Sequence, residues 1–143
     1  MLLYTGIKLG EIARLTLADV MVPKRVGQDA WGTLRILGTG RKETRILLLK
    51  REVCEPLAGW LRQRPQSILT NALFLSGRGN QLDQRQIQYL TEKYFHAAWI
   101  KDASVHTFRH TFAVRQLETG TDVKSLKELL GLKEKDTIRL YLN

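Results

Sequence analysis

The chain has 143 residues, enough for one domain that buries roughly 70% of its unfolded surface and too few for two of ordinary size. Apolar residues make up 43% and charged residues 26%, which excludes wholesale disorder, a collagen-like repeat and a membrane bundle. Lys and Arg number 23 against 14 Asp and Glu, a formal charge of +9. An excess of that size repels itself in the compact state and points to an anionic partner, nucleic acid first and an anionic membrane surface second. The one cysteine, Cys54, excludes an internal disulfide and suits a reducing compartment. Met1 to Gly6 is too short and uncharged for a signal peptide. The longest aliphatic run, Ile46 to Leu49, is far too short to span a bilayer, so a cytoplasmic location is expected.

In chain order, the spacing predicts a helix over Lys8 to Ala18, with Ile7, Ile12 and Leu15 as its apolar stripe. Trp31 to Leu37 and Thr44 to Leu49 are rich in β-formers and flank Gly38-Thr39-Gly40-Arg41-Lys42-Glu43, which reads as a hairpin. Arg51 to Arg62 is helical, with Val53, Leu57, Trp60 and Leu61 on one face and Pro65 beyond its end. Leu73 to Leu75 is a short strand candidate. Asp83 to Trp99 reads as the longest helix, capped by Asp83. A helix over His106 to Thr119 ends at Gly120, and one over Val123 to Leu130 is capped by Asp122 and ends at Gly131. Thr137 to Tyr141 is a last helical turn. The predicted class is mainly α with a small antiparallel β-hairpin or sheet, an α+β domain.

The basic charge is concentrated in one place. Arg35, Arg41, Lys42, Arg45, Lys50 and Arg51 stand against a single acid, Glu43. A hairpin of that density can track a phosphate backbone, or it can be a solvated edge protected by its charges. The net charge of +9 favours contact with DNA or RNA. His106 and His110 lie at i, i+4, but no third ligand or zincin-type Glu accompanies them, so no metal is expected. His106 and Arg109 can instead share one phosphoryl group, the Arg as a planar fork and the His as donor or acid–base group. Tyr141, on position alone, is a packing residue, and Cys54 has no His partner that would activate it.

Four boxes resemble those of the tyrosine recombinases, the phage-integrase family. Leu2-Leu3-Tyr4-Thr5-Gly6-Ile7-Lys8-Leu9-Gly10-Glu11-Ile12 is similar to the family's "LLYTGLRxSEL". Gly38-Thr39-Gly40-Arg41-Lys42-Glu43-Thr44-Arg45 is similar to its "GKGxKxR" hairpin, and His106 to Ala113 to its "HxLRHTFA". Gly131-Leu132 falls at its "LLGH", with Leu132 23 residues after Arg109, and Tyr141 falls 9 residues further, at the nucleophile's position. The resemblance implies a site-specific recombinase or integrase of double-stranded DNA. It implies that Tyr141 attacks a phosphodiester to give a 3′-phosphotyrosine and a free 5′-hydroxyl. Arg109, His106 and the residue at position 8 are then the phosphate-holding catalytic residues. No metal, nucleotide or other cofactor is implied, nor a small-molecule substrate or a membrane; a homo-oligomer on DNA is possible.

Three positions depart from the family pattern: Lys8 replaces an arginine, Thr39 a lysine and Leu132 a histidine. Lysine keeps charge but loses the bidentate fork. Thr39 cannot act as a cationic acid, although Arg41 or Lys42 on the same turn could substitute, and Leu132 forms no hydrogen bond through its side chain. Each lost donor to the transition state costs about 10²–10³ in rate, and such losses are not additive. An impaired recombinase is therefore expected, with Lys8, His106, Arg109 and Leu132 converging on one basic concavity. The alternatives are a non-catalytic DNA-binding member of the family, a regulator or a mobile-element relic, and a helix-turn-helix over Asp122 to Tyr141. The whole of residues 1–143 is expected to be a catalytic-like domain trimmed at both ends, without the family's separate N-terminal DNA-clamping domain.

Overall fold

The computed structural model describes residues 1–24, 31–40, 43–66, 70–133 and 138. Six helices and one small sheet make up these parts. Helix α1 (Leu2–Thr5) ends at Gly6, and α2 (Leu9–Ile12) is followed by a 3-10 turn over Leu17–Asp19. Strands β1 (Val20–Met21), β2 (Gly32–Ile36) and β3 (Arg45–Leu49) form an antiparallel sheet in that order. Four longer helices follow: α3 (Arg51–Gln63), α4 (Gln84–Ala97), α5 (Val105–Glu118) and α6 (Val123–Leu130). The class is as the sequence predicts.

The helix expected over Lys8 to Ala18 is cut to a single turn. Long-range backbone pairing replaces its continuation: the Leu15 carbonyl accepts from the Leu73 N–H (2.7 Å) and the Leu17 N–H donates to the Asn71 carbonyl (2.9 Å). Asp19 then fixes the following turn by accepting from both the N–H and the hydroxyl of Thr16. The same pairing accounts for Leu73 to Leu75, which forms no strand of its own. Its neighbourhood supplies only isolated bridges, Thr16 with Ala72 and Leu75 with Gln81. The hairpin is present and gains β1 as a third strand, with Val20 opposite Leu34 and Leu34 opposite Leu47. The expected turn over Thr137 to Tyr141 falls largely outside the described residues.

Helix ends follow local chemistry. Asp83 accepts from the Gln86 N–H (2.7 Å) while the Gln86 side chain accepts from the Asp83 N–H, a reciprocal cap. Asp122 accepts from the N–H groups of Lys124 and Ser125 at the start of α6. The sheet's inner residues Leu34, Ile36, Leu47 and Leu49 pack with Ile7, Ile12, Leu15 and the α3 residues Val53 and Leu57. A second cluster joins α5 to α6 through Phe112, Ala113, Leu126, Leu130 and Ile138. Helix α5 packs against both α1 and α6.

Candidate nucleic-acid site

The site begins at Gly6, where the chain turns between α1 and α2 with φ +59°. A side chain there would collide with the Phe112 ring of α5, so the glycine admits α5 directly beneath the loop. Arg109 lies one turn before Phe112 and is buried. Its guanidinium donates from Nη1 to the Gly6 carbonyl (2.5 Å) and from Nη2 to the Leu130 carbonyl (2.7 Å). Two backbone acceptors, two residues before Lys8 and two before Leu132, thus fix the plane of one cation. His106 stands exposed on the first turn of α5, three residues before Arg109, with its backbone N–H held by the Ser104 hydroxyl. Lys8 is half-buried, and its N–H donates to Glu11 Oε2 (2.9 Å) at the start of α2.

Arg45 supplies a second tie. Its Nη1 and Nη2 donate to the two carboxylate oxygens of Glu11, both at 2.9 Å, and its Nε donates to the Leu129 carbonyl (2.9 Å). Both side chains are largely enclosed, at 15% and 10% exposure. Burial alone would raise the Glu11 carboxyl. The hydrogen bonds from Arg45 and the Lys8 N–H, with the charges of Arg45 and Lys8, hold it below the ordinary carboxylate range. Gly131, in the left-handed region at φ +60°, leaves room for this guanidinium: a Cβ there would sit 2.5 Å from Arg45 Nη1.

Between the hairpin and the end of α6 lies a cleft of about 710 Å³. Thr39 and Leu132 both line it, with Glu11, Arg45, Glu128 and Lys133 among their neighbours. This cleft is not the basic concavity expected from the sequence. Lys8, His106 and Arg109 do not line the cleft, and its described charges are mixed: Glu11, Glu43 and Glu128 against Arg45 and Lys133. Arg109 ties the loop before Lys8 to the backbone before Leu132.

The basic cluster is also redistributed. Arg45 is turned inward onto Glu11, so it is not a surface residue tracking phosphates. Arg35 pairs with the buried Asp19 (3.0 Å), and Arg51 pairs with Glu55 (2.7 Å). Lys50 and Arg51 stand at the far end of β3, about 17 Å from its hairpin end. Arg41, Lys42 and Tyr141 lie outside the described residues. Cys54 is fully buried, its thiol donating to the Leu49 carbonyl, and burial raises its pKa, as an inert thiol requires. Sequence reasoning missed Glu11 as a site residue. Its position three after Lys8 was visible, but its partner lies 34 residues on.

The family model for the phage integrase family matches residues 1–143. The chain is 33% identical over 138 residues to tyrosine recombinase XerC of Pelobacter propionicus, covering 96% of this chain and 43% of that protein. It is 36% identical over 146 residues to tyrosine recombinase XerD of Staphylococcus epidermidis, covering 98% and 47%. The chain therefore spans less than half the length of these curated relatives. Among solved structures, XerH site-specific recombinase bound to difH substrate in a pre-cleavage complex superposes with a TM-score of 0.79 at 26% identity, covering 99% of this chain and 40% of that one. XerA recombinase shares the fold at a TM-score of 0.85 and 24% identity, covering 99% and 49%. With the full-length family match and the shared fold, the chain belongs to the phage integrase family, the tyrosine recombinases.

Proposed function

We propose that this chain is the catalytic-domain part of a site-specific DNA recombinase whose strand-cleaving activity is impaired. The observation that carries the reading is Arg109, whose one guanidinium is anchored to the loop before Lys8 and to the end of α6 before Leu132. A cation fixed in this way does not reorganise when a phosphate arrives, which is the condition for stabilising a phosphoryl transition state. In the proposed reaction the Tyr141 oxygen attacks the phosphorus and loses its proton. The bond to the 5′-oxygen breaks, that oxygen takes up a proton, and a 3′-phosphotyrosine remains for the reverse attack by a 5′-hydroxyl. Arg109 holds the non-bridging oxygens and His106 donates to them. Lys8 adds charge without a fork, so the phosphate is held less rigidly in line.

Two further positions bear on the impairment. Thr39 carries no cationic acid, and Leu132 carries no side-chain hydrogen-bonding group. The same observation favours the second reading, a non-catalytic DNA-binding member of the family. Double-stranded DNA as the partner and assembly of several copies on it belong to both readings.

The deciding experiment is covalent trapping on a nicked duplex carrying a site that the chain itself selects from a random library. The unmodified chain is expected to give very slow or undetectable adduct. Lys8→Arg, Thr39→Lys and Leu132→His together should raise adduct formation, and Tyr141→Phe in that background should abolish it. An adduct formed as fast by the unmodified chain as by the triple variant would overturn the impairment. Absence of adduct in the triple variant, with DNA binding intact, would favour the non-catalytic reading.

A further inference from the structure

Strand β3 reads Arg45-Ile46-Leu47-Leu48-Leu49, apolar after its first residue on both faces. Such a run is the pattern of a strand covered on two sides, whereas a sheet with one wet face alternates apolar and polar. The inner face is covered: Leu47 and Leu49 are buried with Leu34 and Ile36. The outer face is covered by no described residue. Ile46 is 65% exposed there and Leu48 64%.

Register shows that the exposed side chains form one patch. Met21 lies opposite Thr33, and Thr33 opposite Leu48, so these three make one outward row across the sheet. Ile46 lies opposite Arg35 in the next row, and Leu37 and Trp31, both more than half exposed, extend the patch beyond the ends of β2. Cations stand beside or just beyond the strands: Arg35, whose side chain is 48% exposed and paired with Asp19, Lys50 directly after β3, and the exposed Lys24 three residues after β1. No residue of the three strands is acidic.

Three occupants can be weighed by chemistry. Nucleic acid needs donors for its phosphates, and the centre of the patch, Met21, Ile46 and Leu48, offers only the Thr33 hydroxyl between them. A second copy of this chain related by two-fold symmetry would face the patch with the same cations, Lys24 and Lys50, and no acid to meet them. A protein segment with apolar anchors flanked by Asp and Glu meets both features, its apolar residues on the centre and its acids on the rim. Strands β2 and β3 are about 17 Å long, which matches about three turns of helix. We propose that the outer face of this sheet is a docking surface for an acidic amphipathic helix of another protein, presenting anchors at i, i+3 or i+4, and i+7.

The test is photo-cross-linking from position 48, with p-benzoylphenylalanine in place of Leu48, in the cell that encodes the chain. The cross-linked peptide is then sequenced and synthesised. The expected product is a segment of another protein with helical apolar spacing and a net negative charge. The synthetic peptide should bind the unmodified chain and bind the Ile46→Lys/Leu48→Lys variant at least tenfold more weakly. It should bind a Lys24→Glu/Lys50→Glu variant at least threefold more weakly. All four substituted positions are exposed, and circular dichroism should show the fold retained in both variants. Cross-linking to DNA, to a second copy, to another part of the same chain or to nothing would overturn the proposal. So would a peptide whose affinity neither variant changes.

Discussion

At Gly131 two demands meet that can be separated by experiment. The residue ends α6 in the left-handed region at φ +60°, and it lies against the Arg45 guanidinium. Gly131→Ala therefore combines about 1–2 kcal/mol of backbone cost with displacement of Arg45 from Glu11 and the Leu129 carbonyl. In an Arg45→Ala background only the backbone cost remains, so a double-mutant cycle by chemical denaturation should show strong non-additivity. Additive losses would mean that Gly131 serves the turn alone. Glu11 gives a second prediction. Its pKa is lower folded than unfolded, so its contribution is present above its unfolded value of about 4.3 and is lost as pH falls through the folded value. Glu11→Gln should cost about 3 kcal/mol at pH 7, because it leaves the enclosed Arg45 charge uncompensated. The gap between the two proteins should narrow as pH falls from about 4 towards 2. A gap that stays constant over that range would mean the ion pair contributes through shape and not charge. Gly131 as a helix end was legible in the sequence, but its contact with Arg45 was not, because Arg45 reads there as one more cation of a basic hairpin. Its role is set by Glu11 and Leu129, 34 and 84 residues away.

At the scale of elements, structure governed by near neighbours was legible. Asp83, Asp122 and Gly131 cap the helices assigned to them, because a cap is decided within three or four residues. The helix over Lys8 to Ala18 is shorter than its periodicity predicts because nothing near it announces that Leu15 and Leu17 will pair with Leu73 and Asn71. Strand β1 escapes sequence reasoning because two residues carry no periodicity. The end of α4 breaks a local rule in the other direction. Trp99 follows the helix at φ +56°, where glycine is usual. The N–H groups of Trp99 and Ile100 close the terminal turn onto the carbonyls of His96 and Phe95. Trp99 is 88% exposed, so it gains little packing in return for the strained backbone. Trp99→Gly should stabilise the domain by about 1 kcal/mol, read as a higher denaturation midpoint at unchanged slope. A loss of stability would show that the indole makes an interaction worth more than the strain.

For the whole molecule, charge must be read together with the ion pairs. A +9 excess favours association with a polyanion, but a cation already bound to a carboxylate adds little to counterion release. Among the six basic residues from Arg35 to Arg51, Arg35, Arg45 and Arg51 hold Asp19, Glu11 and Glu55. Lys50 sits at the opposite end of β3 from the hairpin turn. That leaves Arg41 and Lys42, which the sequence puts between β2 and β3, as the members of the group to test against a phosphate backbone. Binding to duplex DNA should weaken steeply with salt, with log K falling linearly against log salt concentration. Arg41→Gln and Lys42→Gln together should flatten that slope by about 1.8, at about 0.9 for each phosphate that is no longer neutralised. Arg35→Gln and Lys50→Gln should leave it unchanged. Fluorescence anisotropy with one duplex across a salt series measures the slope for each of these proteins. A flattening caused by Arg35→Gln as large as that caused by the Arg41 and Lys42 pair would mean that DNA pulls Arg35 off Asp19, and that the ion pairs seen in the free chain are exchanged on binding.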